Sequence, residues 1–157
     1  MDWRCHLSLK NLIDRFIVIK PVWLAGLGAS LAINSYRTLK FLNLSIIVEG
    51  DDCNPLCGLS SELRFITGNN ILEELKLYLA VAEYDQTKSE DWSAFDSVLT
   101  DAGAFPILHR VSVEISSWLV PWTDWDGMNL YIESFKKNKF PRLVESKAVE
   151  FNIRCNS

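Results

Sequence analysis

The sequence predicts an α/β solenoid of about four to five irregular repeats, with parallel strands on one face and helices on the other. Three observations favour this fold class. A leucine-rich segment recurs along the chain, an alternating apolar pattern follows each copy, and apolar residues at helical spacing fill the intervals between copies. Residues 1–157 are predicted to form a single domain, because a chain of 157 residues can bury one sizeable core.

The recurring segment has the pattern Leu-x-x-Leu-x-Leu or an aliphatic variant of it. Its copies begin at Leu39, Leu72 and Leu108, which lie 33 and 36 positions apart. A spacing of roughly 20 to 50 residues is typical of solenoids, in which each unit stacks on the one before it. The segment therefore predicts a leucine-rich-repeat-like stack.

Each copy continues as a predicted strand with one apolar face. The alternating apolar residues are Leu42, Leu44, Ile46 and Val48 in the first copy, Leu75, Leu77, Leu79 and Val81 in the second, and Val111, Val113 and Ile115 in the third. The positions between them are polar and mixed in charge. Because alternation places the two sets on opposite sides of a sheet, we expect one buried face and one solvated face.

Four helices are predicted between the strands, from apolar residues at helical spacing. These residues are Trp23, Leu27 and Leu31 in the first helix, Leu56, Leu59, Leu63 and Ile66 in the second, Trp92, Phe95, Val98, Leu99 and Ala102 in the third, and Trp125, Met128, Ile132 and Phe135 in the fourth. Ser89 is placed to cap the third helix, and Gly103 is placed to end it.

The two ends of the chain are less regular. Residues 9–19 are interpreted as a degenerate first copy. Residues 140–143 match residues 105–108 closely, but alternation resumes only at Val149, with Ser146 at an expected apolar position. We expect a bulge or a shifted strand there, as terminal repeats are often atypical.

A combination of motifs resembles one protein family. Residues 91–99 place a tryptophan, an aspartate and a leucine on a predicted helix, and Phe-Pro-x-Leu and a strand follow at residues 105–113. With residues 70–77, this order is similar to that in the F-box and leucine-rich-repeat-like proteins of mushroom-forming fungi, over roughly residues 36–153. The resemblance implies that the repeats hold a protein substrate. In that family an N-terminal F-box recruits a ubiquitin-ligase scaffold. Residues 1–35 lack the Leu-Pro-x-Glu start of such a box, so the resemblance implies the repeat region alone.

Charge and hydropathy exclude some partners. Sixteen basic and twenty acidic residues give a net charge of −4, so neither nucleic acid nor an anionic membrane is an expected partner. The start of the chain lacks the layout of a signal peptide, and Lys20 and Pro21 interrupt its most apolar stretch. We expect a soluble protein of the cytoplasm or nucleus.

No catalytic or cofactor-binding site is predicted. Gly26 and Gly28 do not have the spacing of a phosphate-binding loop or a dinucleotide fingerprint. His109 could form a catalytic pair with Cys57 or Ser112, but a histidine at the entry to a strand is more often a surface residue.

No metal site is predicted either. The acidic turn at residues 49–52 lacks the glycine-spaced oxygen ligands of a calcium loop, which favours a solvated turn. Cys53 and Cys57 would need two further ligands to hold zinc. Without a secretion signal, the four cysteines are interpreted as free, partly buried thiols.

The function expected from the sequence is protein binding without catalysis. The residues predicted to bind a partner are Lys76, Tyr78, Ser112 and Glu114 on the open sheet face, with Trp118 and Trp122 in the loop after the third strand. Two alternatives remain at this point. The chain could be a structural fragment that self-associates through exposed end strands, or a small hydrolase that brings His109 together with a thiol or carboxylate. For the two tryptophans, packing over the end of the core is an alternative to partner binding.

Overall fold

The computed structural model describes residues 14–19, 26–34, 37–47, 56, 58–68, 70–81, 91–117 and 125–156. Strands and helices alternate along the chain with one exception near the end. In order they are β1 (Asp14–Ile19), α1 (Leu27–Asn34), β2 (Phe41–Ile47), α2 (Leu59–Arg64), β3 (Glu74–Val81), α3 (Asp91–Thr100), β4 (Arg110–Ser117), α4 (Trp125–Lys139), α5 (Pro141–Glu145) and β5 (Glu150–Asn156).

The sheet confirms the predicted α/β class. All five strands are parallel and lie in sequence order, β1-β2-β3-β4-β5. A helix lies between each strand and the next, and right-handed crossovers place such helices on the same side of a parallel sheet. The helices contact their neighbours in turn, α1 with α2, α2 with α3, and α3 with α5. The result is two layers, and no helix that the structure describes lies on the other sheet face.

The core lies between the sheet and the helices. The alternating residues predicted to be apolar and inward are buried on β2, β3 and β4 wherever their side chains are described, among them Leu44, Leu77 and Val113, which are partners in the sheet register. The helical stripes meet them from the other side, with Leu31, Leu63 and Leu99 buried on successive helices.

Ring contacts fill the core at the β5 end. Phe140 is fully buried and packs edge-on against Trp92, with ring centroids 5.3 Å apart, and against Phe135 at 5.9 Å. Its ring also lies 4.8 Å from that of Phe151 on β5. This aromatic cluster joins α3, α4 and the last strand into one packed body.

Two helices receive their N-terminal caps from another helix. Asp96 on α3 is buried, and its carboxylate accepts hydrogen bonds from the backbone N–H groups of Arg142 at 3.0 Å and Leu143 at 2.9 Å. Desolvation raises the pKa of Asp96, and these two hydrogen bonds oppose the rise. Glu62 on α2 acts in the same way on α1, accepting from the N–H groups of Gly26 and Gly28.

The last strand is shifted, which is one of the two arrangements expected near Ser146, and the helix α5 accounts for the shift. Residues 140–143 share the Phe-Pro-x-Leu pattern of residues 105–108, yet they enter a short helix whose first turn is capped by Asp96. Pro141 suits the first helical position, where no N–H partner is needed. Ser146 then accepts hydrogen bonds from the N–H of Ala148 and of Val149 at the turn into β5.

Other boundaries differ modestly from those predicted. The first helix begins at Leu27. Three residues for which a role was predicted lie outside the described residues: Trp23 in the first helix, Val48 in the first strand copy and the helix cap Ser89. The residues 15–19 do form a strand, as the degenerate first copy requires.

Candidate partner-binding face

The sheet surface opposite the helices carries the residues predicted to bind a partner. This open face consists of Phe41, Asn43 and Ser45 on β2, Glu74, Lys76, Tyr78 and Ala80 on β3, Arg110, Ser112, Glu114 and Ser116 on β4, and Glu150, Asn152 and Arg154 on β5. Alternation along each strand sends these side chains away from the core, because their neighbours in sequence are buried.

The four predicted strand residues are brought together, as the proposed register requires. Lys76 is the register partner of Ser112, and Tyr78 is the partner of Glu114. The ammonium of Lys76 lies 2.7 Å from Glu114 Oε1 and 4.5 Å from the centre of the Tyr78 ring. Hydrogen bonding to Glu114, supported by Tyr78, raises the pKa of Lys76. The contacts of Lys76 with Glu114 and with Tyr78 therefore restrict the conformations of all three side chains.

A second charged row crosses the face at the beginning of the strands. Arg110 Nη1 donates to Glu74 Oε1 at 2.9 Å, and Arg110 Nε donates to Glu150 Oε2 at 3.3 Å. Hydrogen bonding to Glu150 and the charge of Glu74 raise the pKa of Arg110. The pKa of Glu150 is lowered, first by a hydrogen bond from Asn152 and then by Arg110. The residues of this row are not among those predicted to bind a partner, although alternation places Arg110 two residues before Ser112.

A shallow depression lies between the two rows. Its volume is about 310 Å³, and it is lined by Phe41, Asn43, Glu74, Leu75, Lys76, Arg110 and Ser112. Its lining combines the short side chains of Asn43 and Ser112 with the longer side chains of Lys76 and Arg110. Such a surface offers an incoming chain both polar contacts and space for a side chain.

The charges of the residues assigned to the open face cancel, with three carboxylates and three cations. Glu74, Glu114 and Glu150 alternate with the cations of Lys76, Arg110 and Arg154 across three strands. A surface of this kind has no strong field of one sign, so it favours recognition by matched local contacts over long-range attraction of a polyanion.

The remaining predicted residues are placed less favourably or are not described. Trp118 and Trp122 lie outside the described residues, as do Cys57 and the acidic turn at 49–52. His109 is described, and its Nε2 lies 3.8 Å from Glu74 Oε1 at the edge of the open face.

Within the ranges that the structure describes, no group of three or more His, Cys, Asp or Glu residues could hold a metal ion. Across the same ranges, no helix is long and apolar enough to cross a membrane.

Cys155 is the cysteine whose surroundings are described, and they suppress its reactivity. It is free and half-buried on β5, where burial raises its pKa from 9.0 to about 11. A shift of about two units lowers the thiolate fraction near neutral pH by roughly 100-fold, and the thiolate is the reactive form.

We expect Cys155 to react with a disulfide reagent at pH 8 at least roughly tenfold more slowly in the folded protein than in the unfolded chain, because the lower thiolate fraction outweighs the greater nucleophilicity of a thiolate of higher pKa. The measurement uses a variant in which Cys5, Cys53 and Cys57 are replaced by serine, so that one thiol is followed. The same variant in denaturant provides the unfolded reference. Equal rates in the two states would contradict a buried thiol of raised pKa.

Comparison with family models, with curated proteins and with solved structures yields no match to this chain.

Proposed function

We propose that this protein is a protein-binding module that recognises its partner through the open face. The observation that carries the proposal is the linked arrangement of Lys76, Tyr78 and Glu114 on a sheet surface that no described helix covers. Side chains that are already held in place lose little conformational entropy on binding, which favours an interface.

We interpret the fold as a leucine-rich-repeat-like solenoid, and this interpretation supports the proposal. The sequence order of the parallel strands and the recurrence of Leu39, Leu72 and Leu108, each buried just before its strand, support this interpretation. Units of this kind stack through their neighbours and leave one extended surface for a partner.

The resemblance to fungal F-box and leucine-rich-repeat-like proteins suggests a more specific role. In such a role the open face would hold a protein substrate for a ubiquitin ligase. The combination of motifs at residues 70–77, 91–99 and 105–113 supports this part of the proposal.

A non-enzymatic role accords with the site. The described histidine, His109, approaches a carboxylate of Glu74 that is already bonded to Arg110. The described thiol, Cys155, belongs to the inner face, and its raised pKa opposes nucleophilic use. These surroundings favour binding over hydrolysis as the function of the open face.

The test combines partner capture with substitution of the face. The intact protein serves as bait in extract of the organism that produces it, and captured proteins are identified by mass spectrometry. Binding of each captured protein is then compared with that of a variant carrying Lys76→Glu, Tyr78→Ala and Glu114→Lys. Because Lys76 and Glu114 pair with each other, we expect the exchange of their charges to retain an ion pair and the fold, which thermal unfolding of the variant checks.

We expect this variant to bind a true partner at least about tenfold more weakly, as loss of a central anchor costs roughly 1–2 kcal/mol or more. The matched control exchanges Lys40 and Glu73, a pair 2.6 Å apart that lies outside the open face, and it should bind normally. Equal binding by the face variant and the wild-type protein would contradict the proposal.

A further inference from the structure

The outer edge of β5 presents backbone groups that are available for pairing. Among the described residues, β5 has a neighbour on one side only, β4. The N–H of Glu150 donates to the carbonyl of His109 at 2.8 Å, so Glu150 directs its backbone groups towards β4. Successive residues of a strand direct these groups to opposite sides. Phe151, Ile153 and Cys155 therefore direct their N–H and C=O groups to the outer edge.

The side chains of β5 alternate in the complementary way. Glu150, Asn152 and Arg154 belong to the open face, and the apolar residues of the strand belong to the inner face. Ile153 remains only half-buried, so its side chain still has apolar surface to cover. Arg154 is exposed and forms no ion pair with any residue that the structure describes.

We propose that β5 pairs antiparallel with β5 of a second copy of this chain, in the register centred on Asn152. This arrangement gives a two-fold dimer. Its backbone pairing uses the outer edge of the sheet, and its charge pairs use Glu150 and Arg154 at the β5 margin of the open face, so it does not require Lys76, Tyr78 or Glu114. The outward backbone groups of Phe151 then meet those of Ile153 in the second copy, and the two-fold axis repeats the exchange.

Charge complementarity selects this register. With Asn152 at the centre, Glu150 lies opposite Arg154 of the second copy, and Arg154 lies opposite Glu150 of the second copy. These are non-hydrogen-bonded positions, where side chains of antiparallel strands are closest. A register centred on Glu150 would oppose two carboxylates, and one centred on Arg154 would oppose two guanidinium groups. The strand is therefore complementary to itself in the antiparallel direction.

Glu150 has capacity for this additional contact. Its Oε2 accepts from Arg110 at 3.3 Å and its Oε1 accepts from Asn152 at 3.1 Å, yet its side chain is 60% exposed. A carboxylate accepts up to about four hydrogen bonds through its two oxygens. A guanidinium from the second copy can thus bind without displacing Arg110.

The dimer would join the two sheets into one continuous sheet. A two-fold axis perpendicular to the sheet keeps both helix layers on one side and both open faces on the other. Pairing along one edge is a small interface, so we expect association that depends on concentration.

The first test uses charge reversal, followed by sedimentation velocity over a wide concentration range. Arg154→Glu and Glu150→Arg should each weaken self-association by roughly tenfold, because each substitution places like charges opposite each other at both symmetric positions. A mixture of the two variants should recover wild-type association, since every cross-strand pair is then of opposite charge. Thermal unfolding of each variant checks that the fold is retained.

Three outcomes of this test would overturn the proposal. The wild-type protein could remain monomeric at every concentration, Arg154→Glu could associate as strongly as the wild type, or the mixture could behave as the sum of its components. The variant carrying Lys76→Glu, Tyr78→Ala and Glu114→Lys should dimerise normally, because its substitutions lie on β3 and β4. Failure of the dimer and failure of the partner-binding face are therefore distinguishable.

A second test fixes the register by cross-linking. In a background with all four cysteines replaced by serine, Asn152→Cys places two thiols at a non-hydrogen-bonded pair, where Cα atoms about 4.5 Å apart permit a disulfide. Ser112→Cys is the matched control, since Ser112 is the register partner of Asn152 on the adjacent inner strand. We expect oxidation to give a covalent dimer of the Asn152→Cys variant alone. Equal yields from both variants would indicate random collision and overturn the register.

Discussion

Replacing Phe140 with alanine is expected to lower the free energy of unfolding by about 3–5 kcal/mol, the cost of removing a large aromatic side chain from a packed core. Phe140 is fully buried, and its ring contacts those of Trp92, Phe95, Phe135 and Phe151. The substitution leaves a cavity between α3, α4 and β5. Chemical denaturation monitored by circular dichroism measures the change.

The chain offers the same substitution at an exposed site as a control. Phe65 follows α2 and is 61% exposed, so Phe65→Ala should change the free energy of unfolding by no more than about 0.5 kcal/mol. Comparable losses at the two sites would show that Phe140 does not occupy the core position described above.

Adding one methyl group at Gly28 is expected to destabilise the protein by about 3 kcal/mol or more. A Cβ atom at this position would lie 1.9 Å from the backbone carbonyl oxygen of Glu62, and neither backbone can move without separating α1 from α2. Overpacking typically costs about 1–3 kcal/mol when flexible side chains give way, and here the obstacle is main chain. The displacement would also stretch the hydrogen bond of 2.7 Å between the Gly28 N–H and the Glu62 carboxylate.

Gly26→Ala is the control for this effect. A Cβ there meets nothing within 4 Å, and its cost arises from the left-handed backbone, with φ at +88°. That strain is about 1–2 kcal/mol for a residue with a side chain. The two free energies of unfolding, measured in the same denaturant, separate steric exclusion from backbone strain. A loss for Gly28→Ala no greater than that for Gly26→Ala would contradict close packing of the two helices.

The central strands and their register could be predicted because local pattern and tertiary packing agree there. In β3 and β4 the same alternation that identifies the strand also decides which residues are buried. Aligning Leu72 with Leu108 then places Lys76 beside Ser112 and Tyr78 beside Glu114 without further information. The predicted residues of the open face that lie on strands follow from this agreement.

The last unit could not be predicted because its conformation depends on distant contacts. Residues 140–143 and 105–108 have nearly the same sequence, and what distinguishes them is the Asp96 carboxylate that caps α5 from 46 and 47 positions away. The ion pair between Arg110 and Glu150 depends on where β5 begins, and that boundary follows from α5. The close approach of Gly28 to the backbone carbonyl of Glu62 also has no local sequence signature. A glycine within a predicted helix indicates only a residue of low helix propensity.

The sequence order of the strands also governs how the protein opens. Each strand pairs only with those before and after it, so β3 has one paired neighbour on each side and a further strand beyond each, while β5 has one flanking strand in the described chain. Loss of an end strand breaks a single ladder and leaves the ladders further in intact. Backbone amides should therefore exchange with solvent deuterium fastest at the sheet edges and slowest on β3, as successive end units detach and reattach while the centre stays folded.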